Sequence, residues 1–215
     1  MAARVKICGL KTADAVAAAL AGGADFVGFV FYPPSPRNLT TDEARPLAAM
    51  ARGRAGIVAL LVDPSDALIG EVVAAIAPDL LQLHGSERAD RVAEVKRRFG
   101  VPVMKAIKVE TAADAAAALD YLGVADRILF DAKAPKGLAG ALPGGNGLVF
   151  DWRALEPVQG KFDFMLSGGL TVETVAAAAR LTRAWAVDVS SGVESTPGVK
   201  DLGLIAAFLA AAKAA

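Results

Sequence analysis

Residues 4–31 contain one complete strand-helix-strand unit and read RVKICGLKTADAVAAALAGGADFVGFVF. An alternating β-type run at 4–8 is followed by an Ala-rich stretch with helical spacing and by a second apolar run at 26–31. Two strands that are joined through a helix run parallel, with a right-handed crossover. The unit therefore predicts an α/β fold with a parallel sheet.

The same strand-helix alternation continues along the whole chain. Helix candidates open with capping residues, which we place at Thr12, Thr41, Asp66, Thr111 and Thr171, and a last helix is predicted at 201–213. Eight strands are predicted, at residues 4–8, 26–31, 57–62, 80–84, 102–107, 127–131, 162–166 and 184–189. Eight such units in a chain of this length predict a single-domain (β/α)8 TIM barrel that spans residues 1–215.

A doubly wound open sheet is the competing fold. Such a sheet usually has fewer strands, and its dinucleotide-binding form carries G-x-G-x-x-G after the first strand. Residues 8–14 read CGLKTAD at that position and lack the glycine pattern. The strand count and this missing motif favour the barrel.

The composition of the chain excludes several classes of protein. Of its 215 residues 54% are hydrophobic, and 23 basic side chains balance 23 acidic ones, so the chain is neither disordered nor a general binder of nucleic acid. Charged residues, glycine or proline interrupt each apolar run well before the roughly 20 residues of a membrane span. The first ten residues lack the apolar segment of a secretory signal. We expect a cytoplasmic protein with no nucleic-acid or membrane partner.

Cys8 is the only cysteine of the chain, and His84 is the only histidine. A lone cysteine forms no internal disulfide, which fits a reducing compartment. A structural zinc site needs about four nitrogen or sulfur ligands. We therefore expect no such metal site, and no other cofactor is predicted.

Strand periodicity assigns polar side chains to the inside of the barrel. Alternate residues of each strand face the helices and the lumen, and ligands of such barrels gather at the carboxyl ends of the strands. The apolar positions of strands one, four, six and eight suit the side that faces the helices. The inward residues near one rim are then Lys6, Cys8, Gln82, His84, Asp131 and Asp188.

Cys8 and Asp131 are the candidates for acid-base chemistry. Lys6 precedes Cys8 by two residues on the same face, where its ammonium would favour a reactive thiolate. Alternatively, Lys6 pairs with an inward carboxylate such as Asp188, and Cys8 is only a small buried residue. Asp131 is a candidate general acid at the barrel mouth, or else a helix cap or an ion-pair partner.

Three glycine-containing segments follow the last strands. Residues 132–150 form a long loop with GGNG at 144–147, and such a loop is a candidate lid over a ligand. Residues 167–169 read SGG after strand seven, and residues 190–192 read SSG after strand eight. Barrels commonly bind phosphate with backbone amides of these two loops. As a pair they predict a phosphate site, although each alone also fits an ordinary turn.

Arg37 and His84 each allow two interpretations. Arg37 ends the segment FYPPSPR at 31–37, whose three prolines suit a guanidinium that clamps a carboxylate or a phosphate. A solvated arginine is the alternative. His84 is either a hydrogen-bonded core residue or a member of the site.

Seven motifs, in order along the chain, resemble phosphoribosylanthranilate isomerase. The motifs are KICGL at 6–10, GADFVGFVFYPPSPR at 23–37, LQLHG at 81–85, LFDAK at 129–133, GGNGLVFDW at 144–152, LSGGL at 166–170 and VDVSSGVE at 187–194. PGVKD at 197–201 also resembles the family's lead-in to the last helix. The loop at 134–144 departs from the family, because it is longer than the version typical of it.

The resemblance implies a reaction and a role for each site residue. The family catalyses, without a cofactor, the Amadori rearrangement of N-(5-phosphoribosyl)anthranilate to 1-(2-carboxyphenylamino)-1-deoxyribulose 5-phosphate in tryptophan biosynthesis. The resemblance implies that Cys8 is the general base, that Asp131 is the general acid and that Arg37 holds the anthranilate carboxylate. Phosphate and other substrate contacts would come from His84, Asp188, Gly145, Gly168, Gly169, Ser191 and Gly192. The expected partner is a small phosphoribosyl substrate, and the expected assembly is a monomer or a weak homodimer.

Two other functions stay open at this point. The histidine-pathway isomerase acts on a different phosphoribosyl amine and is expected to use aspartates at the ends of strands one and five. This chain has Cys8 at the first position and Lys105 and Lys108 around the second. The other alternative is a barrel that binds a phosphorylated metabolite without catalysis, and Cys8 and Asp131 argue against it.

Overall fold

A closed barrel of eight parallel strands forms the centre of the computed structural model, which describes residues 3–133, 144–145 and 147–215. Neighbouring strands follow chain order, and the first strand pairs with the last, so the predicted (β/α)8 barrel is confirmed. The strands are β1 Arg4–Cys8, β2 Phe26–Phe31, β3 Gly56–Leu61, β4 Leu80–Leu83, β5 Val103–Val109, β6 Arg127–Ala132, β7 Phe164–Leu166 and β8 Ala186–Val189.

Helices connect the strands around the outside of the barrel. They are α1 Ala13–Ala21, α2 Thr41–Ala51, α3 Asp66–Ile76, α4 Ala89–Phe99, α5 Ala112–Ala116, α6 Val175–Thr182 and α7 Leu202–Lys213. Short 3-10 helices lie at Ala117–Tyr121, Trp152–Val158 and Ser191–Val193. After β8 the chain forms a small antiparallel hairpin of β9 Glu194–Thr196 and β10 Val199–Lys200, which leads into α7.

Two predicted helix caps are wrong by one residue. Thr40, not Thr41, caps α2, because its side chain accepts the amide of Glu43 while the Glu43 carboxylate accepts the amide of Thr40. Ser65, not Asp66, caps α3 through its hydroxyl. In both pairs the neighbouring polar residue becomes the first residue of the helix.

The predicted cap at Thr171 is wrong by three residues. The Thr171 amide donates to the Thr174 hydroxyl oxygen in a local turn, and α6 begins only at Val175. Thr12 and Thr111, by contrast, cap α1 and α5 as predicted. The strand predictions differ from the structure by one or two residues at several ends, for example at β5, which continues to Val109 alongside β6.

The apolar residues form two clusters on opposite sides of the strands. The larger cluster fills the layer between strands and helices, with Val5, Ile7 and Leu83 among its members. The smaller cluster fills the lumen and consists of Val58, Leu80, Met104, Ala106, Leu129, Met165 and Ala186. Leu80 in the lumen and Leu83 outside show the alternation along β4 that places Gln82 on the inner side.

A repeated carboxylate contact holds the amino-terminal rim of the barrel. Asp25, Asp79 and Asp126 immediately precede β2, β4 and β6. Each donates its amide to the carbonyl of one residue in the preceding odd-numbered strand and accepts that residue's amide with its carboxylate. These odd-strand residues are Val5, Ile57 and Val103, and their amides lie 2.9, 2.7 and 2.9 Å from the carboxylate oxygens. These side chains thus link the strands in pairs at the amino-terminal rim.

Trp185 takes the equivalent position before β8. Its amide donates to the carbonyl of Phe164 in β7, but its side chain stacks with two arginines rather than binding an amide. The guanidinium carbons of Arg4 and Arg127 lie 4.7 and 4.9 Å from the indole centroid. Within the described residues, no helix is long and apolar enough to cross a membrane.

Candidate active site

One cavity opens at the carboxyl ends of the strands, the rim at which the sequence predicted a site. The residues that line it come from the ends of the strands and from the loops that follow them. All ten candidate site residues are among them, namely Cys8, Arg37, His84, Asp131, Gly145, Gly168, Gly169, Asp188, Ser191 and Gly192. The fold therefore brings these separate segments together at one place.

Cys8 ends β1 and is buried at the floor of this cavity. Gly28 of β2 lies beside it, and a Cβ atom on Gly28 would come within 2.9 Å of the cysteine Sγ. A glycine at this position therefore leaves room for the thiol. Burial raises the pKa of the Cys8 thiol, and the nearby ammonium of Lys6 opposes this rise without cancelling it. The resting form at neutral pH is thus the thiol rather than the thiolate.

Lys6 is fully buried and forms an ion pair with Asp188. Its Nζ lies 2.8 Å from the Asp188 Oδ1, while the other oxygen of that carboxylate accepts the hydroxyl of Ser167 at 3.1 Å. Burial alone would lower the pKa of Lys6, but the charges of Asp188 and Cys8 more than offset it and raise that pKa. Of the two interpretations of Lys6, the structure shows the ion pair with Asp188, beside the thiol.

Asp131 lies in β6, and each of its oxygens has a hydrogen-bond partner. Oδ1 accepts the amide of Ala132 at 2.9 Å, and Oδ2 lies 3.1 Å from Nε2 of His84. Gly144 covers this pair closely, since a Cβ atom there would lie 2.6 Å from His84 Nε2 and 2.7 Å from Asp131 Oδ2. Asp131 is therefore held by β6 and His84, under a backbone segment that has no room for a side chain.

His84 is a buried, hydrogen-bonded residue and also lines the cavity, so the core interpretation and the site interpretation both apply to it. Its Nδ1 lies 2.8 Å from Nε2 of Gln82, two residues earlier on the same strand face. Gln82 is completely buried. The three side chains of Gln82, His84 and Asp131 thus form a hydrogen-bonded chain from the lumen to the cavity.

Arg37 is buried at the cavity wall, which excludes the solvated interpretation. Its guanidinium donates two hydrogen bonds to the carboxylate of Glu194 in β9, from Nε to Oε1 and from Nη2 to Oε2, both at 2.8 Å. Nη2 also donates to the carbonyl of Gly145 at 3.2 Å. The structure therefore pairs this arginine with a carboxylate of the protein itself.

Glu194 and Lys200 are buried ionic residues that the sequence analysis did not select. The Lys200 Nζ lies 2.7 Å from Glu194 Oε1 and donates to the carbonyl of Ser190 at 2.8 Å. Burial opposes the charge of Glu194, but Arg37 and Lys200 keep its pKa lowered. Burial lowers the pKa of Lys200, although Glu194 opposes this. Both residues lie inside motifs of the family resemblance, at 187–194 and 197–201. These motifs were the sequence feature from which the two residues could have been selected.

The two glycine loops after β7 and β8 reach the cavity with their backbones. Gly168 has φ of +91°, and a Cβ atom there would lie 2.6 Å from the amide nitrogen of Ala132. At Gly192 a Cβ atom would lie 2.0 Å from the carbonyl oxygen of Leu170. Only glycine allows these close approaches. Of the predicted lid at 132–150 and its longer part at 134–144, residues 134–143 and 146 lie outside the described residues, whereas Gly144, Gly145 and Gly147 line the cavity.

The described residues contain no group of three or more histidine, cysteine or carboxylate side chains arranged to hold a metal ion. What the cavity does contain is a buried thiol, a hydrogen-bonded carboxyl group, an anchored guanidinium and glycine-rich backbone. A thiol and a carboxyl group can take and give protons. The arginine and the loop amides can bind anions.

Comparison with known proteins gives one consistent result. Residues 5–211 match the family model of N-(5'phosphoribosyl)anthranilate (PRA) isomerase. A relative from Nitrobacter hamburgensis, named N-(5'-phosphoribosyl)anthranilate isomerase, is 59% identical over 211 residues, which cover 98% of this chain and 93% of the relative.

Solved structures agree with the sequence match. The crystal structure of phosphoribosyl anthranilate isomerase from Thermotoga maritima superposes with a TM-score of 0.88 at 35% identity and covers 99% of this chain and 100% of that chain. Another, of a phosphoribosyl anthranilate isomerase in complex with reduced 1-(o-carboxyphenylamino)-1-deoxyribulose 5-phosphate, gives 0.85 at 34% identity with the same coverage. The motif-based prediction is therefore confirmed, and the chain belongs to the phosphoribosylanthranilate isomerase family.

Proposed function

We propose that this protein catalyses the Amadori rearrangement of N-(5-phosphoribosyl)anthranilate to 1-(2-carboxyphenylamino)-1-deoxyribulose 5-phosphate, with Cys8 as general base and Asp131 as general acid. The observation that carries the proposal is the single cavity lined by a thiol from β1, a carboxyl group from β6, Arg37 and two glycine loops. Membership of the isomerase family supports the same reaction.

The reaction needs an acid and a base at different atoms of one sugar. Asp131 donates its proton to the furanose ring oxygen, the bond from that oxygen to C1 breaks, and the nitrogen lone pair forms a protonated Schiff base. The Cys8 thiolate then removes the proton from C2, and the electron pair moves through C1 to the nitrogen to give an enaminol. Protonation at C1 with loss of the proton on O2 completes the ketose. Each catalytic group contributes about 10² to 10⁴ in rate.

Two anionic groups of the substrate have matching partners in the cavity. The carboxylate of the anthranilate moiety is held by Arg37, whose Nε and Nη2 are engaged by Glu194 and which therefore presents Nη1 to the substrate. The phosphate lies against the loops that contain Gly168, Gly169, Ser191 and Gly192. Asp188 binds polar groups of the sugar beside Lys6. His84 contacts Asp131 and lines the same cavity, where it is placed to contact the substrate.

The activity is tested by mixing the purified protein with phosphoribosylanthranilate that is generated in situ. Consumption of the substrate removes its anthranilate-type fluorescence, and we expect rapid loss that depends on the amount of protein. No change with a folded protein would contradict the proposal and favour a non-catalytic metabolite-binding barrel. A parallel assay with the phosphoribosyl amine of the histidine pathway measures whether that substrate is also accepted.

We infer that the protein acts in the cytoplasm without a cofactor, as a monomer or a weak homodimer. Its one cysteine is a free buried thiol at the proposed base position, and a reducing compartment preserves such a group. Light scattering coupled to size-exclusion chromatography measures the mass in solution. A stable higher assembly at low protein concentration would contradict the expected state.

A further inference from the structure

The hydrogen-bonded chain of Gln82, His84 and Asp131 determines where protons lie in the acid half of the site. Gln82 Nε2 is an amide nitrogen, which only donates, and it lies 2.8 Å from His84 Nδ1. The Nδ1 atom must then carry a lone pair rather than a proton. A neutral imidazole with a lone pair on Nδ1 carries its proton on Nε2, the atom that lies 3.1 Å from Asp131 Oδ2.

We propose that Gln82 is a positioning residue that holds His84 as the Nε2-H tautomer, so that His84 donates to Asp131 and cannot take the proton of the acid. The inference rests on the proposed function, because it concerns the proton that Asp131 gives to the substrate.

The two histidine tautomers have opposite consequences for the acid. With the proton on Nδ1, the lone pair of Nε2 would accept the proton of a protonated Asp131 and turn it away from the cavity. With the proton on Nε2, the imidazole donates to one lone pair of Oδ2, and a carboxylic proton on the same oxygen remains directed at a ligand. A hydroxyl oxygen can accept and donate at once. The tautomer therefore decides whether the acid faces histidine or substrate.

The surroundings of Gln82 strengthen its hydrogen bond to His84. Gln82 follows Leu80 on the inner face of β4, and Leu80 belongs to the apolar cluster of the lumen. In such a medium a hydrogen bond is stronger than in water, and breaking it is correspondingly unfavourable. The Gln82 Oε1 atom has no hydrogen-bond partner among the described residues, so the amide contributes to this chain through its nitrogen.

The tautomer can be read directly, because the chain contains one histidine. In 15N-labelled protein without a polyhistidine tag, every imidazole signal comes from His84, and nitrogen shifts with two-bond couplings to the ring protons distinguish the neutral tautomers from the cation. We expect the neutral Nε2-H tautomer near neutral pH. An Nδ1-H tautomer, or an imidazolium, would overturn the inference.

Gln82→Glu reverses the donor to an acceptor at the same place. A carboxylate at this position favours a proton on Nδ1 of His84, so we expect the nitrogen shift of Nδ1 to become that of a protonated nitrogen. We also expect kcat to fall about 10²-fold with little change in KM. Gln159→Glu is the matched control: Gln159 is the chain's other glutamine and lies outside the cavity, and the same change of charge there should alter neither signal nor kcat.

Gln82→Met removes both donor and acceptor and covers the case in which Gln82→Glu does not fold. We expect a mixture of tautomers and a smaller fall in kcat. A reversed or mixed tautomer with wild-type kcat would overturn the inference. Failure of the proposed function gives a different result, namely a wild-type protein that leaves the fluorescence of phosphoribosylanthranilate unchanged whichever tautomer is found.

Discussion

Arg37 is joined to Glu194 by two hydrogen bonds of 2.8 Å, although 157 positions separate the two residues in the sequence. The contact ties the proline-rich segment after β2 to the hairpin after β8. Because Lys200 also binds Oε1 of this carboxylate, one buried negative charge is shared by two positive ones. The orientation of the guanidinium thus depends on a residue of the hairpin that follows the last strand of the barrel.

Loss of the Glu194 carboxylate should destabilise the fold. In Glu194→Ala the cations of Arg37 and Lys200 stay buried without their partner, and removing one member of a buried ion pair typically lowers the free energy of unfolding by about 3–5 kcal/mol. Denaturant unfolding measures the change. Arg153→Ala breaks the exposed pair with Asp151 and serves as the control, for which we expect no measurable change. An equal effect of both substitutions would contradict the role of burial.

Cys8→Ala and Asp131→Asn should each lower kcat by about 10²- to 10⁴-fold, since each removes one proton-transfer group. Both substitutions are close in size to the original side chain, so we expect the circular dichroism spectrum and the thermal midpoint to stay near those of the wild type. Steady-state kinetics with the fluorescence assay measures the loss. Near-normal turnover in either variant would remove that residue from its proposed role.

The Cys8 thiol should titrate above the ordinary range of a cysteine. Burial raises the pKa of the Cys8 thiol, and the active form of a base is the thiolate, so the active fraction is small at neutral pH and grows as pH increases. We expect half of the thiol to be ionised only above roughly pH 8.5, the ordinary pKa of a cysteine. The ultraviolet absorbance of the thiolate measures this titration as the difference between the wild type and Cys8→Ala, because the chain has one cysteine and the subtraction removes the two tyrosines. A titration midpoint well below that pH would contradict this expectation.

Gly144→Ala should impair catalysis more than stability. The added methyl group would press on His84 Nε2 and Asp131 Oδ2, both less than 3 Å away, and displace the acid. We expect a clear fall in kcat with an unchanged thermal midpoint. Gly70→Ala is the control. Gly70 lies inside α3, and a methyl group there would contact only the ring of Phe99, at an ordinary distance of 3.6 Å. A wild-type kcat in Gly144→Ala would show that the backbone there is free to move.

The sequence was sufficient to place Cys8, His84, Asp131 and Asp188 at the cavity. Cys8 and Asp131 could be placed because strand alternation and parallel order are local rules that need only the apolar pattern. Glu194 could not be found in this way. It lies on a hairpin beyond the eighth strand, and its partner depends on how two distant loops meet, which no periodicity describes.

Helix starts show the same limit at shorter range. Thr40 and Thr41 are both capping residue types, and only the reciprocal bond with Glu43 selects the first of them. At Thr171 the competing hydroxyl of Thr174 closes a turn and delays the helix. The polar chain from Gln82 to Asp131 was also inaccessible from sequence, because the side chains of two strands must be brought within hydrogen-bond distance before a tautomer can be assigned.

The carboxylate contacts at the amino-terminal rim predict which strands of the barrel open most easily. Carboxylates link three strand pairs, β1 with β2, β3 with β4 and β5 with β6, through Asp25, Asp79 and Asp126. The pair of β7 and β8 has Trp185 at the equivalent position and lacks this hydrogen bond. We expect amide hydrogen exchange to be fastest in β7 and β8, since fewer bonds must open there. The loops proposed to bind phosphate extend from these two strands, so easier local opening of β7 and β8 would let these loops adjust to a bound phosphate.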